Sequence, residues 1–344
     1  MIQSLSVTVS DYHFHTDEHW GQLGNTLLER GLDGFEILAD IQKTWEPIPP
    51  ALVKGYQFRN HLDWLDCYEG NKETFIWNFI GRGEAADYFG NGSAEDILNA
   101  YRQDLEYGLS LKTPYIVFDV ANADEQEVST FEWKHSDHQI MDAAIEILNI
   151  LLKGVEPNFY LLLGNSSWPG FTFTDPQKTE YLLSRINYPK VGIMLDTARL
   201  LSIKWHTKNQ SEAIRYINSV LDAHGELCKS IMGLHFSYLP TSGWTESQLR
   251  IPEYRPGDYR PAWLTPEVLL KVQARKVGRH SCWTNPECIS LIERIEPQYL
   301  VHTFHDNGNL TQMGALTRQL KAIRRGRDMK AIEPSTRIAT DNAK

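Results

Sequence analysis

The sequence predicts an α/β fold, a closed (β/α)8 barrel, and three observations point to it. Apolar, β-type runs alternate with amphipathic helical stretches along the chain. Four of the runs, LLLGNSSW (161–168), VGIMLDTARLL (191–201), IMGLHFSYL (231–239) and YLVHTFHD (299–306), are short and end abruptly in polar or glycine residues. Runs of that kind read as buried parallel strands whose C-terminal ends open into loops. The chain has 344 residues, enough for one barrel of about 250 residues with insertions. In a closed barrel the strand ends meet at one mouth, where such folds place their chemistry. Gly164, Asp196, His235 and Thr303 thereby become expected neighbours.

The elements follow in order. SLSVTVSDY (4–12) is a β-branched first strand, and WGQLGNTLLERG (20–31) a helix with a glycine stop. GFEILAD (34–40) gives strand two and KGYQFRNHLDW (54–64) strand three. SAEDILNAYRQDLEYGLSLK (93–112) is a long amphipathic helix, with Ser93 and Asp96 spaced as a capping box. PYIVFDVANA (114–123) is strand four, and HSDHQIMDAAIEILNILLKG (135–154) a helix with apolar residues at helical spacing. FYLLLGN (159–165) is strand five, and Asp175 with Pro176 opens the helix at 175–186. VGIMLDT (191–197) is strand six, 210–225 a helix, and IMGLHFS (231–237) strand seven. A Pro-, Gly- and aromatic-rich stretch at about 240–266 reads as a long loop. NPECISLIERI (285–295) is helical, QYLVHTFHD (298–306) is strand eight, and 309–325 is a closing helix. One domain spans 1–325, followed by a polar, flexible tail at 326–344.

Composition narrows the function. A formal net charge of −10 argues against sequence-independent nucleic-acid binding, which needs a basic face to release counterions. The basic stretch ALTRQLKAIRRGR (315–327) reads as the solvated face of the last helix. Cys67, Cys228, Cys282 and Cys288 form no CxxC pair, and no signal peptide or spanning segment is visible. The expectation is a cytoplasmic protein with reduced thiols and no membrane partner. The 240–266 loop offers a surface on which a second copy could pair.

With these segments in place, the chain resembles the xylose-isomerase-like TIM barrels, the sugar phosphate isomerase/epimerase superfamily. The resemblance covers roughly residues 4–325. It is carried by GLDGFEIL (31–38), LLLGNSSWPG (161–170), GIMLDTARL (192–200), GLHFSYL (233–239), RHSCWTNPE (279–287) and PQYLVHTFHD (297–306). It implies a divalent metal held by Glu, Asp, His and Glu at the ends of strands five to eight. Asp196 and His235 match that pattern, whereas Gly164 and Thr303 stand where the glutamates belong. Arg199 stands where the family often has histidine. A cation beside Arg199, at about 5 Å and an effective dielectric near 20, meets roughly 3 kcal/mol of repulsion.

Two alternatives stay open. In the first, a divalent ion (Zn, Mn, Fe or Co) sits at a relocated site made by Asp196, His235 and His305, which shares a strand face with Thr303. Asp306, His13, His15, His61 and His280 lie within reach of that mouth, and His302 faces the other way. In the second, the site holds no metal, and a base among Glu36, Asp196 and His235 works with Arg199 on a carbonyl substrate. Glu36 also reads as a lock between neighbouring strands, and Asp119 as a partner of Arg199 or of a histidine. Trp168, Arg199, His61, Asn165 and His280 are candidate binders of a small sugar-like ligand. Further aromatics and arginines (Trp244, Tyr254, Arg250, Arg255 and Arg260 among them) line the predicted rim. The function expected is a sugar isomerase- or epimerase-like barrel, with a non-catalytic binding or regulatory barrel as the alternative. A DNA-repair endonuclease of the same fold would need the missing glutamates and a basic groove.

Overall fold

The computed structural model describes residues 1–8, 17–39, 48–59, 64–71, 92–204, 207–241, 280–304 and 309–341. Eight parallel strands close into a barrel in chain order. They are β1 (Ile2–Thr8), β2 (Gly34–Leu38), β3 (Val53–Gln57), β4 (Tyr115–Asp119), β5 (Tyr160–Gly164), β6 (Val191–Asp196), β7 (Ile231–Phe236) and β8 (Tyr299–His302). Closure comes from β1, which pairs with β2 on one side and β8 on the other.

The two-residue period of a strand sorts side chains into two sets. Tyr115, Val117, Leu162, Met194, Tyr299 and Val301 form one small apolar cluster inside the barrel. The residues between them, such as Ile116, Phe118, Leu161, Leu163 and Leu195, join the large core under the helices. Continuing the inward set by one step reaches Asp119, Gly164, Asp196 and Thr303, so the polar layer caps the apolar one. Large and small side chains interleave in the barrel. A Cβ on Gly55 would lie 2.1 Å from the Tyr115 ring, and one on Gly233 would lie 2.5 Å from Met194. Those glycines make room for the big neighbours.

The helices are α1 (Asp17–Glu29), α2 (Leu65–Tyr68), α3 (Ala94–Ser110), α4 (Glu125–Thr130), α5 (Asp137–Leu151), α6 (Pro176–Arg185), α7 (Thr197–Ile203), α8 (Gln210–His224), α9 (Ile289–Ile295) and α10 (Asn309–Asp341). The capping box expected at α3 is present, with Ser93 and Asp96 bonding reciprocally.

Several boundaries differ from the sequence expectation. β3 ends at Gln57 rather than running to Trp64, because Arg59 turns aside to Asp104 of α3 at 2.5 Å. β4 stops at Asp119, after which Asp124 and Glu127 cap the unforeseen α4. TARLL leaves the strand as α7, since the Asp196 side chain accepts the Arg199 amide and starts a helix. α10 runs well past 325. Gly326 lies inside that helix as a close-packing position, since a Cβ there would come within 2.3 Å of the Pro286 carbonyl. Among the described residues no helix is long and apolar enough to cross a membrane, and none of the four cysteines forms a disulfide.

Candidate functional site

The polar layer at the barrel mouth forms one continuous run of contacts. Tyr115 Oη donates to Glu36 Oε2 at 2.9 Å, and Glu36 Oε1 lies 2.8 Å from His235 Nε2. His235 Nδ1 is 3.9 Å from Asp196 Oδ2, and that same oxygen is 3.6 Å from Arg199 Nε. Arg199 Nη1 then lies 2.7 Å from Asp119 Oδ1, while Gln57 Nε2 donates to Asp119 Oδ2 at 2.8 Å. Negative and positive groups alternate along the run, so each buried charge has an opposite neighbour, as burial requires.

Local structure fixes each member. Asn165 clamps the Asp196 backbone from both sides, accepting its N–H at 2.6 Å and donating to its carbonyl at 3.1 Å. Asp196 Oδ1 caps α7 through the Arg199 amide at 2.9 Å. Arg199 therefore sits on the first turn of α7, and its Nη1 also donates to the Asn165 carbonyl at 3.1 Å. Asp196 and His235 are register partners across β6 and β7. Thr303 lies beside them but donates to Ser237 Oγ at 3.0 Å, which in turn contacts His280 Nδ1 at 3.0 Å.

Charge states follow from these surroundings. Burial pushes the His235 imidazole down, but Glu36 and Asp196 outweigh it despite Arg199, and the pKa ends above 6.5. The two carboxylates thus favour the imidazolium form of His235. Burial works against Arg199 too, and Asp119 with Asp196 more than restores its charge. His280 is the opposite case: burial first, then the nearby Arg199 and His235 charges, bring it down to about 3. It is a neutral ring.

The donors here do not fit the divalent metal that the resemblance implies. Gly164 brings no ligand, and the space a Cβ would enter is taken by Asp119 Oδ1, 2.1 Å away. Glu36 engages His235 Nε2 at 2.8 Å, and the carboxylates around the ring favour its protonated form, which offers no lone pair to a metal. The Thr303 hydroxyl is committed to Ser237. Among the described residues no three His, Cys, Asp or Glu side chains are grouped to hold an ion.

Of the residues singled out from sequence, the structure unites Glu36, Asn165, Asp196, Arg199 and His235, with His280 one contact away through Ser237. His61 and His305, like Asp306, His13, His15, Trp244, Tyr254, Arg250, Arg255 and Arg260, lie outside the described residues. Most of the 240–266 stretch does too. His302 points away from the mouth, as its strand phase predicted, to Gln319 Nε2 at 2.7 Å. Trp168 lies on the β5–α6 connection, 6.1 Å from Trp133 of the β4–α5 connection, which is 40% exposed. Sequence reading passed over Trp133, Gln57, Tyr115 and Ser237. For Gln57, Tyr115 and Ser237 the available signal was inward strand phase.

No protein-family model and no curated protein matches the chain. Solved structures do resemble it. An endonuclease IV from Thermus thermophilus aligns over 94% of this chain and 100% of its own, at 12% identity and TM-score 0.51. A D-tagatose 3-epimerase-like protein aligns over 96% of this chain and 99% of its own, at 10% identity and TM-score 0.52. A xylose isomerase-like TIM barrel/4-hydroxyphenylpyruvate dioxygenase fusion protein aligns over 94% of this chain but only 42% of its own, at 12% identity and TM-score 0.51. At such identities the likeness speaks to architecture alone.

Proposed function

We propose, on the premise that the chain has the xylose isomerase-like TIM-barrel fold, that it binds a small polar, sugar-like molecule at its C-terminal mouth and moves a proton next to a carbonyl, as isomerases and epimerases do. The supporting observation is the alternating run Glu36–His235–Asp196–Arg199–Asp119, because buried charges collected at strand ends are how barrels build proton-transfer sites. Within it, and among the described residues, Asp196 Oδ2 has charged neighbours only at 3.6 and 3.9 Å, beyond hydrogen-bond reach. That oxygen is the base in this reading. Glu36 has both oxygens engaged, so its part is to hold His235 charged. Arg199 steadies the oxygen on which negative charge develops. Trp168, with Trp133, offers flat rings to the apolar face of a sugar. His280, neutral at pH 7, serves a ligand hydroxyl.

Seating an ion on Asp196, His235 and His305 would require His235 to give up the proton on Nδ1, the nitrogen that faces Asp196, and would set the ion beside the Arg199 guanidinium. For that reason no metal takes part in this reading. The test is turnover of a panel of ketoses, aldoses, their phosphates and sugar acids by the full chain. Asp196→Asn should cost on the order of 10²- to 10⁴-fold, the usual worth of a general base. Turnover undiminished in that variant removes Asp196 from the role.

A second reading, a binding barrel without chemistry, is favoured by the burial of Glu36 and His235, 0% and 2% exposed. Ligand uptake seen by calorimetry, with no product from any panel member, would decide for it. Cleavage of abasic duplex DNA would overturn both.

A further inference from the structure

We infer that the resident cation of this mouth is the Arg199 guanidinium, in the role a divalent metal plays in barrels of this fold, and that the ligand it takes presents a carbonyl or carboxylate oxygen. Three observations carry this. First, the end of β5 has no side chain, and Asp119 Oδ1 fills the space beside Gly164. Second, that carboxylate is turned to Arg199 Nη1 at 2.7 Å, and Asp196 Oδ2 lies 3.6 Å from Arg199 Nε. The two acidic side chains nearest the mouth are therefore arranged around a guanidinium. Third, Arg199 is the one charged member of the run with appreciable exposure, its side chain 18% accessible against 3% for Asp119, Asp196 and His235. Nη1 and Nε are directed inward, and Nη2 has no partner among the described residues. Nη2 is the donor left for a ligand.

The chemistry balances without a metal. Asp196 Oδ2 takes the proton from the carbon beside the carbonyl, and the C–H electron pair forms the enediolate double bond. The carbonyl π pair moves onto oxygen, which Arg199 Nη2–H holds. Return of the proton from Asp196 to the former carbonyl carbon, while the hydroxyl proton on the carbon it left passes to the oxygen held by Arg199, gives the isomer and restores the carboxylate. A guanidinium suits this part because it cannot deprotonate in a protein and its N–H groups have fixed directions.

The substrate consequence rests on the reading of the mouth as a proton-transfer site. The test below uses no substrate: its failure puts a metal in the place of Arg199, whereas proton transfer at the mouth falls only if the sugar panel shows no turnover. Full-length protein is purified without chelator and titrated with Mn²⁺, Zn²⁺ and Co²⁺ by calorimetry, with elemental analysis alongside. Wild type and Arg199→Lys, which keeps the charge, should each hold well under one ion per chain. Arg199→Met, which keeps the stem but not the charge, should melt several degrees lower, and millimolar ethylguanidinium or Mn²⁺ should restore part of that loss while leaving wild type unmoved. Wild type retaining one ion per chain, with uptake abolished by Asp196→Asn, overturns the inference. So does an Arg199→Met melting temperature equal to wild type, since three buried carboxylates would then not have needed the cation.

Discussion

At Gly164 an added Cβ would come within 2.1 Å of Asp119 Oδ1, a side-chain atom already held by Gln57 and Arg199 through its carboxylate. Gly164→Ala should therefore cost about 1–3 kcal/mol, the usual range for overpacking a filled interior. Urea unfolding would measure it, and an unchanged midpoint would mean that Asp119 moves away freely. Glu36 is a stricter case. It is fully buried and meets His235 Nε2 at 2.8 Å. Glu36→Gln keeps an acceptor for Tyr115 but strands a buried imidazolium, which costs about 3 kcal/mol or expels the proton. The His235 pKa, raised above 6.5 in the wild type, should then fall, and NMR titration of the ring would show it. These two sites also show how far residue types alone could be read. Asp196, His235, Glu36 and the Asp119–Arg199 pair were legible because strand period fixes which residues face inward. Tyr115 was not, because a tyrosine among Ile, Val and Phe reads as core until its hydroxyl is seen reaching Glu36.

The elements were legible where caps mark them and blurred where one side chain redirects the chain. Ser93 and Asp175 announce their helices, and both cap as expected. By contrast, the apolar run GIMLDTARLL carries no break, yet Asp196 ends a strand and begins α7 within one residue. No periodicity signals that a carboxylate will turn to cap a helix. A similar local contact ties α2 to the segment before α5, where His135 Nε2 lies 3.2 Å from Asp66 Oδ1 with both side chains largely buried. The bond to Asp66 chiefly raises the His135 pKa, burial opposes it, and Glu69 and Glu127 add to the rise. The bond to His135 chiefly lowers that of Asp66. The histidine's share of stability is therefore complete below its unfolded value of 6.5 and is lost as pH climbs through the raised folded value. The aspartate's share is present above 3.8 and is lost as pH drops through its lowered value. His135→Gln should cost about 1 kcal/mol near pH 5.5 and clearly less near pH 9. Urea midpoints at the two pH values would check this, and an equal cost at both would show that charge plays no part.

Over the whole molecule, the barrel holds together only if its first and last strands stay paired, and His302 sits on that seam. It is fully buried on β8, between Gln3 of β1 at 2.7 Å and Gln319 of α10 at 2.7 Å. The amide of Gln319 has a defined orientation: its Oε1 accepts the Trp283 amide at 2.8 Å and its Nε2 donates to the Phe236 carbonyl at 2.8 Å. Gln319 Nε2 must then donate to His302 Nδ1, which leaves the imidazole proton on Nε2 and requires the Gln3 amide, placed with its Nε2 2.7 Å from that nitrogen, to be turned so that Oε1 accepts. A second ring proton would meet the donor of Gln319 head-on. Accordingly burial brings the His302 pKa down to about 3. The unfolded chain binds a proton at this residue below 6.5 and the folded barrel does not, so acid favours unfolding. Between pH 6.5 and about 4.5 this one group should remove about 2 kcal/mol of stability, near 1.4 kcal/mol for each unit once the unfolded ring is fully protonated. His302→Asn retains a side chain able to bond both glutamines but cannot titrate. Its stability should start lower at neutral pH, where the smaller side chain leaves a void, and fall less steeply on acidification. Denaturation curves taken at half-unit steps would resolve the two slopes, and parallel slopes for wild type and variant would show that the seam is not what acid opens.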